Sequence, residues 1–249
     1  NVVKTGNICY DICKKKYRDI FNKELTNEVN LIKNEKYILF IGWSYGYYLN
    51  DSAPGTSYFC NKYGIPVKDF NEYISGIKKL HNLWISLMLE VCNKYKDYIV
   101  VFKPHPPVAL EGDINRIPGL KKLTENSNFK IWNSETIIEP LLLFSKCVIH
   151  CGSSCGLQCN LLGVENISFS PNLNKLLHYP FTTKGNITSN TAIICDSING
   201  SILKLDNILN NNYRLNIPEE TKNLIKNEYL NNYEENTFAY DSIIKELID

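Results

Sequence analysis

The feature that most constrains this chain is an alternation of short, near-continuous apolar runs with longer segments of helical period. Tyr37-Ile38-Leu39-Phe40-Ile41, Tyr98-Ile99-Val100-Val101-Phe102, Phe129-Lys130-Ile131-Trp132, Cys147-Val148-Ile149-His150 and Asn166-Ile167-Ser168-Phe169 each read as a strand. Strands that are apolar on both faces belong to parallel sheets covered by helices on both sides. Between the first two, Ile74, Ile77, Leu80, Trp84, Leu87, Met88 and Val91 recur every three or four residues, on one face of a long helix. Residues 137–144 read as a short helix. Gly152-Ser153-Ser154 opens another that runs to Leu162, with Gly163 as its C-terminal cap. Two closing helices are expected near 219–229 and 237–247. The predicted class is α/β, a Rossmann-like, doubly wound parallel sheet. Residues 1–35, with Tyr17, Ile20, Phe21 and Leu25, read as a helical lead-in, and 36–249 as a Rossmann-like nucleotide-binding domain with C-terminal helices.

Composition removes several classes of function. The chain carries 27 basic and 26 acidic residues, net +1, so it lacks the basic excess of a nucleic-acid binder. Its 249 residues, 44% of them hydrophobic, suffice for a core without disulfides or metals as staples. No apolar run approaches the roughly 20 residues of a membrane span, and no secretory pattern is visible. Nine cysteines, an odd number, point to free thiols in a reducing compartment. Cys147, Cys151, Cys155 and Cys159 share a four-residue spacing but fall on a strand, a turn and a helix. They are expected to pack as small apolar side chains rather than converge on a metal. The motifs imply no cofactor. The expected location is cytoplasmic, with peripheral contact to the inner face of the membrane left open.

In a parallel α/β sheet, ligands bind beyond the carboxyl ends of the strands, so the loops after Ile41, Phe102 and Ile149 are the ones to inspect. The loop after Phe102 is Lys103-Pro104-His105-Pro106. Its prolines fix the backbone, and it presents an imidazole that can donate to a phosphate oxygen and a lysine that adds a point charge. The loop after Ile149 is His150-Cys151-Gly152-Ser153-Ser154-Cys155-Gly156-Leu157-Gln158. Small residues at a strand-to-helix turn let N–H groups approach an anion, and the helix end and serine hydroxyls add to the attraction. Capping of the helix by serine would explain the same turn without a ligand. The pattern is neither the dinucleotide nor the ATP-loop signature, and a nucleotide-sugar phosphate fits it better. After the first strand, Trp43 and Ser44 in Gly42-Trp43-Ser44-Tyr45-Gly46 can approach the same ligand or simply make a turn.

Lys-Pro-His-Pro after one strand, followed some forty-five residues later by His-x-Gly-Ser-Ser-x-Gly, resembles the GT-B superfamily. More narrowly, it resembles bacterial surface-carbohydrate proteins related to capsule Kdo transferases, HP/SS-motif sialyltransferases and CDP-glycerol glycerophosphotransferases. Thr5-Gly6-Asn7-Ile8-Cys9-Tyr10-Asp11 is similar to the Gly-Asn-x-x-x-Asp segment that opens the C-terminal domain of those proteins and of UDP-GlcNAc 2-epimerases. The resemblance implies the C-terminal, donor-nucleotide half of a GT-B enzyme, paired with an N-terminal acceptor domain. It places His105 and Pro106 at the HP motif, with His105 as the catalytic leaving-group donor. It places Ser153 and Ser154 at the SS motif, with Lys103, His150, Gly152 and Gly156 in the same two motifs around the phosphate, while Trp43 and Ser44 are candidates from the residue reading of the loop after the first strand alone. Gln158 stands where the family usually has a ribose-binding Glu. The expected function is glycosyl transfer from a CMP- or CDP-linked sugar to a glycan or glycolipid acceptor in surface polysaccharide synthesis. A UDP-GlcNAc 2-epimerase-like isomerase and a degenerate, non-catalytic nucleotide-binding module are the alternatives.

Overall fold

The computed structural model describes residues 8–14, 34–42, 70–105, 117–132, 138–171, 190–211 and 213–225. A 3₁₀ turn, Ile8–Cys13, precedes β1 (Tyr37–Ile41), α1 (Phe70–Lys94), β2 (Ile99–Lys103), α2 (Leu120–Thr124), β3 (Phe129–Ile131), α3 (Glu139–Phe144) and β4 (Cys147–His150). Then come α4 (Cys155–Leu162), β5 (Asn166–Phe169), β6 (Ile193–Cys195), α5 (Ile198–Asn211) and α6 (Glu219–Leu224). The six strands form one sheet in the order β3-β2-β1-β4-β5-β6, and every pairing is parallel. This is the Rossmann order, whose direction reverses between β1 and β4. The expected α/β, doubly wound sheet is therefore the observed one.

Strand alternation divides the core into two layers. Ile38, Phe40, Val100, Phe102, Ile149, Ile167 and Phe169 face α1, α2 and α5. Tyr37, Leu39, Ile41, Val101 and Val148 face α3, α4 and the 3₁₀ turn. The apolar stripe of α1 buries Ile77, Leu80, Trp84, Leu87, Met88 and Val91, as its spacing predicts. Trp84 anchors that layer by meeting Phe40 edge-to-face with centroids 5.2 Å apart. Its truncation to Ala is expected to cost about 3–5 kcal/mol. On the other face, the Tyr37 hydroxyl donates to the Leu141 carbonyl at 2.6 Å and ties β1 to α3.

Three elements lie beyond the sequence-based reading: α2, β6 and α5. β6 is only three residues long, and α5 follows it directly. The spacing of Ile198, Ile202, Leu205 and Ile208 was a legible helical signal, masked by Gly200 and the many asparagines. The lead-in at 15–33, the loop at 43–69 and the helix expected near 237–247 lie outside the described residues, and the helix expected near 219–229 is described only at Glu219–Leu224.

Candidate functional site

The carboxyl ends of β2, β1 and β4 stand side by side at the point where strand order reverses. β1 pairs with β2 through Ile41↔Lys103 and with β4 through Phe40↔Ile149. The segment after β2 and the turn after β4 therefore flank the end of β1, about 10 Å apart at two strand spacings. Gly42 allows the close approach on the β2 side. Its N–H donates to the Lys103 carbonyl at 2.7 Å. A Cβ there would lie 2.9 Å from both His105 N and Pro104 Cα, so a side chain would push the Lys103-Pro104-His105 segment outward.

His105 is half-buried at that edge. Lys103 is 7% exposed and already engaged within the protein. Trp43, Ser44 and Pro106 lie outside the described residues.

In the turn after β4, Gly152 adopts φ +62°, the left-handed region that glycine enters at little cost. The turn's backbone donors are almost all committed inside the protein. Gly152 N–H donates to Ser168 Oγ at 3.2 Å, and Ser153 N–H to His150 Nδ1 at 3.1 Å. Cys155 N–H donates to Ser153 Oγ at 3.2 Å. Gly156 and Leu157 N–H donate to the Ser153 and Ser154 carbonyls. Among the described residues of the turn, the donors without a recorded acceptor include the Ser154 N–H and the Ser154 hydroxyl hydrogen, whereas the Ser153 hydroxyl is within hydrogen-bonding reach of the Cys155 thiol. The open backbone cradle expected from the sequence is thus narrower, and capping falls to Ser153 while Ser154 makes no side-chain cap and is exposed.

His150 sits beneath this turn with no exposed surface. Its Nε2 lies 2.9 Å from Asn166 Oδ1, and Asn166 Nδ2 donates to the Thr191 carbonyl at 2.9 Å. With the amide nitrogen turned to Thr191, Asn166 Oδ1 can only accept. His150 is therefore protonated on Nε2 and accepts on Nδ1. Burial holds it neutral and pushes its pKa down to about 4, against a smaller upward pull from the Asn166 bond. The imidazole supports the turn from the protein side rather than facing a ligand. Gly156 is the reason α4 can lie so close, because a Cβ there would be 3.1 Å from His150 Nε2 and 3.3 Å from Asn166 Oδ1.

Gln158 donates through Nε2 to Glu139 Oε1 at 2.8 Å. Glu139 is 8% exposed, and burial raises its carboxyl above the ordinary range. The Gln158 amide is thereby fixed against α3, one turn into α4. Cys147, Cys151, Cys155 and Cys159 occupy the strand, turn and helix expected of them. All four are buried with thiol pKa values raised by burial, which leaves them protonated and unreactive. A separate cavity of about 560 Å³ opens between α1 and the start of α5, with Phe169, Asp196 and Ser197 in its wall. None of the sequence-predicted site residues is in its described lining.

Sequence reasoning missed Asn166, Ser168 and Gly42. The first two had a signal: polar residues alternate with apolar ones along Asn166-Ile167-Ser168-Phe169. That alternation marks a polar face beside the turn within an otherwise apolar sheet.

No family model matches the chain, and no curated protein matches it. Solved structures do resemble it. UDP-GlcNAc 2-epimerase of Methanocaldococcus jannaschii, in complex with UDP-GlcNAc and UDP, is similar with a TM-score of 0.51 at 14% identity, over 98% of this chain and 54% of that one. The wall teichoic acid polymerase TagF aligns at a TM-score of 0.49 and 15% identity, over 96% of this chain and 49% of that one. The beta Kdo 2,4 transferase KpsC of Thermosulfurimonas dismutans aligns at 0.36 and 16% identity, over 67% of this chain and 40% of that one. The chain spans about half the length of the epimerase and of TagF. No helix among the described residues is long and apolar enough to cross a membrane. In fold, the chain is an α/β, Rossmann-like unit similar to part of that epimerase.

Proposed function

We propose that this chain is the donor-nucleotide half of a glycosyltransferase that builds surface polysaccharide, with a CMP- or CDP-linked sugar as donor and a glycan or glycolipid as acceptor. One observation carries the reading: His105 and the Ser153-Ser154 turn flank the end of β1 at the reversal of strand order. There, both can reach one phosphate from opposite sides. The fold likeness to the epimerase bound to UDP-GlcNAc and UDP is compatible with a nucleotide-sugar ligand.

When the bond between the sugar's anomeric carbon and the phosphate oxygen breaks, the departing nucleotide keeps the electron pair. Negative charge then grows on its phosphate oxygens. Donors already in place bind that charge more tightly in the transition state than in the ground state. In this role His105 donates from the β2 side, and the Ser154 N–H and the two serine hydroxyls donate from the β4 side. Lys103 adds positive potential from within, and Gln158, Trp43, Ser44 and Pro106 belong to the surrounding nucleotide site. One such donor is worth about 10²–10³-fold in rate.

Calorimetric titration of the chain with CMP, CDP, UDP and GDP tests the reading. Preference for a cytidine nucleotide is the expected result. A UDP preference would favour the epimerase-like isomerase instead, and failure to bind any of the four would leave a non-catalytic module.

A further inference from the structure

The turn after β4 does not stand alone. It tops a buried chain of hydrogen bonds that runs down the α4 face of the sheet. Ser153 N–H donates to His150 Nδ1, His150 Nε2–H to Asn166 Oδ1, and Asn166 Nδ2 to the Thr191 carbonyl at the entry to β6. Asn160 Nδ2 donates to the same Thr191 carbonyl and, at 2.7 Å, to the Gly156 carbonyl. His150 and Asn166 are 0% and 1% exposed, and Thr191 is 0% exposed. Each group in the path has one acceptable role. The Thr191 atom that meets Asn166 is its carbonyl oxygen, which only accepts, so Asn166 presents its amide nitrogen there and its oxygen to His150. His150 must then carry its proton on Nε2 and accept on Nδ1.

We propose that His150 and Asn166 are positioning residues for the site. Together they lock a neutral imidazole in the Nε2–H tautomer, whose Nδ1 draws the Ser153 N–H inward. The proposal rests on the nucleotide reading of the turn. With the Ser153 N–H drawn inward to His150 Nδ1, the Ser154 N–H is the backbone donor of the turn that remains for a ligand, beside the Ser154 hydroxyl. A turn without that inward acceptor would direct the Ser153 N–H elsewhere and rotate the whole donor set. The sheet holds the arrangement rigidly, because Asn166 belongs to β5 and His150 to β4, and their strands pair through Val148↔Asn166. Gly156 lets α4 lie close above the pair, because a Cβ there would stand 3.1 Å from His150 Nε2.

Two substitutions of similar polarity separate this role from simple filling of space. In His150→Asn the amide oxygen takes the place of Nδ1 and can accept the Ser153 N–H, while the Asn166 contact is lost. In His150→Gln the amide lies where Nε2 was, keeps the Asn166 contact and abandons Ser153. The glutamine also fills the volume better. The experiment is titration of each variant with CMP, CDP and UDP, alongside thermal denaturation and the amide spectrum of Ser153. The expected result is that His150→Asn keeps affinity within about threefold while His150→Gln loses roughly tenfold or more, the scale of misplacing a donor to a charged group. The Ser153 amide resonance should move in His150→Gln alone. Equal affinities in the two variants, or losses that follow only the melting temperature, would overturn the proposal.

Nitrogen-15 spectroscopy of the wild-type chain gives a reading that needs neither variant to fold. The expected result at neutral pH is a protonated Nε2 and a scalar coupling between Ser153 N and His150 Nδ1 across their hydrogen bond. A proton on Nδ1 would overturn the proposal. A wild-type chain that shows the coupling yet binds none of the nucleotides would instead sink the nucleotide reading.

Discussion

Gly156→Ala is the most discriminating perturbation of the turn. Gly156 is the second residue of α4, and in an ordinary helix replacing glycine with alanine stabilises by about 0.5–1 kcal/mol. Here the added Cβ would meet His150 Nε2 at 3.1 Å, Asn166 Oδ1 at 3.3 Å and His150 Cε1 at 3.4 Å. Those atoms have little freedom to yield, because His150 is bonded at both nitrogens and Asn166 at both ends of its amide. Nor can α4 back away freely, since Cys155, Cys159 and Leu162 pack into the layer with Leu141 and Val148. Overpacking of this kind costs about 1–3 kcal/mol, which outweighs the helical gain. The expected net is a loss of about 1–2 kcal/mol, or several degrees in melting temperature for a chain of this size. Because the wedge displaces the His150 ring whose Nδ1 accepts the Ser153 N–H, CMP affinity should fall as well, by roughly tenfold. Gly163→Ala is the control. That glycine has φ +73° with nothing near its missing Cβ, so alanine should cost about 1 kcal/mol through backbone strain and leave affinity unchanged. Urea titration and calorimetry on the two variants check both halves. A Gly156→Ala protein more stable than wild type with unchanged CMP affinity would refute the packing argument.

The two serines should behave differently. Ser153→Ala removes the acceptor of Cys155 N–H and should cost about 0.5–2 kcal/mol of stability as well as affinity. Ser154→Ala breaks no cap and should leave the urea midpoint almost unmoved while CMP affinity falls five- to a hundredfold. His105→Ala should lower turnover of the active enzyme about a hundredfold; turnover at the wild-type rate would remove His105 from the leaving-group role. For pH, the unfolded chain takes up a proton near 6.5 that buried His150 refuses until about 4. Stability should thus be full above about pH 6.5 and drop by up to about 3 kcal/mol toward pH 4. His81, also pushed down by burial, acts in the same sense, whereas the raised carboxyl of Glu139 favours the folded state at low pH. Urea midpoints at pH 4.5 and 7 should differ more in wild type than in His150→Asn, and equal differences would show that the imidazole is not held neutral.

The sheet was legible because each strand is a dense apolar run and α1 shows its period over about five turns. What escaped was short or diluted: β6 has three residues, and α5 carries its stripe among asparagines and a glycine. The candidate site was legible only as residue types after strand ends: His105 follows β2, and Ser153 and Ser154 follow β4, beside the point where strand order reverses. Their roles were less visible, because a linear pattern does not tell which face of a strand a residue occupies. His150 reads as a ligand-facing residue next to Gly152, yet its place in β4 turns it inward to Asn166, sixteen residues away. Gln158 reads as a free amide, and only the packing of α3 on α4 brings Glu139 against it.

A crystal structure of the chain soaked with CMP tests the central claim most directly. The account predicts the phosphate at the carboxyl end of β1, within about 3.5 Å of the Ser154 N–H or a serine hydroxyl on one side and of the His105 ring on the other. A nucleotide whose phosphate lies away from both, for example in the cavity beside Asp196 and Ser197, would contradict it.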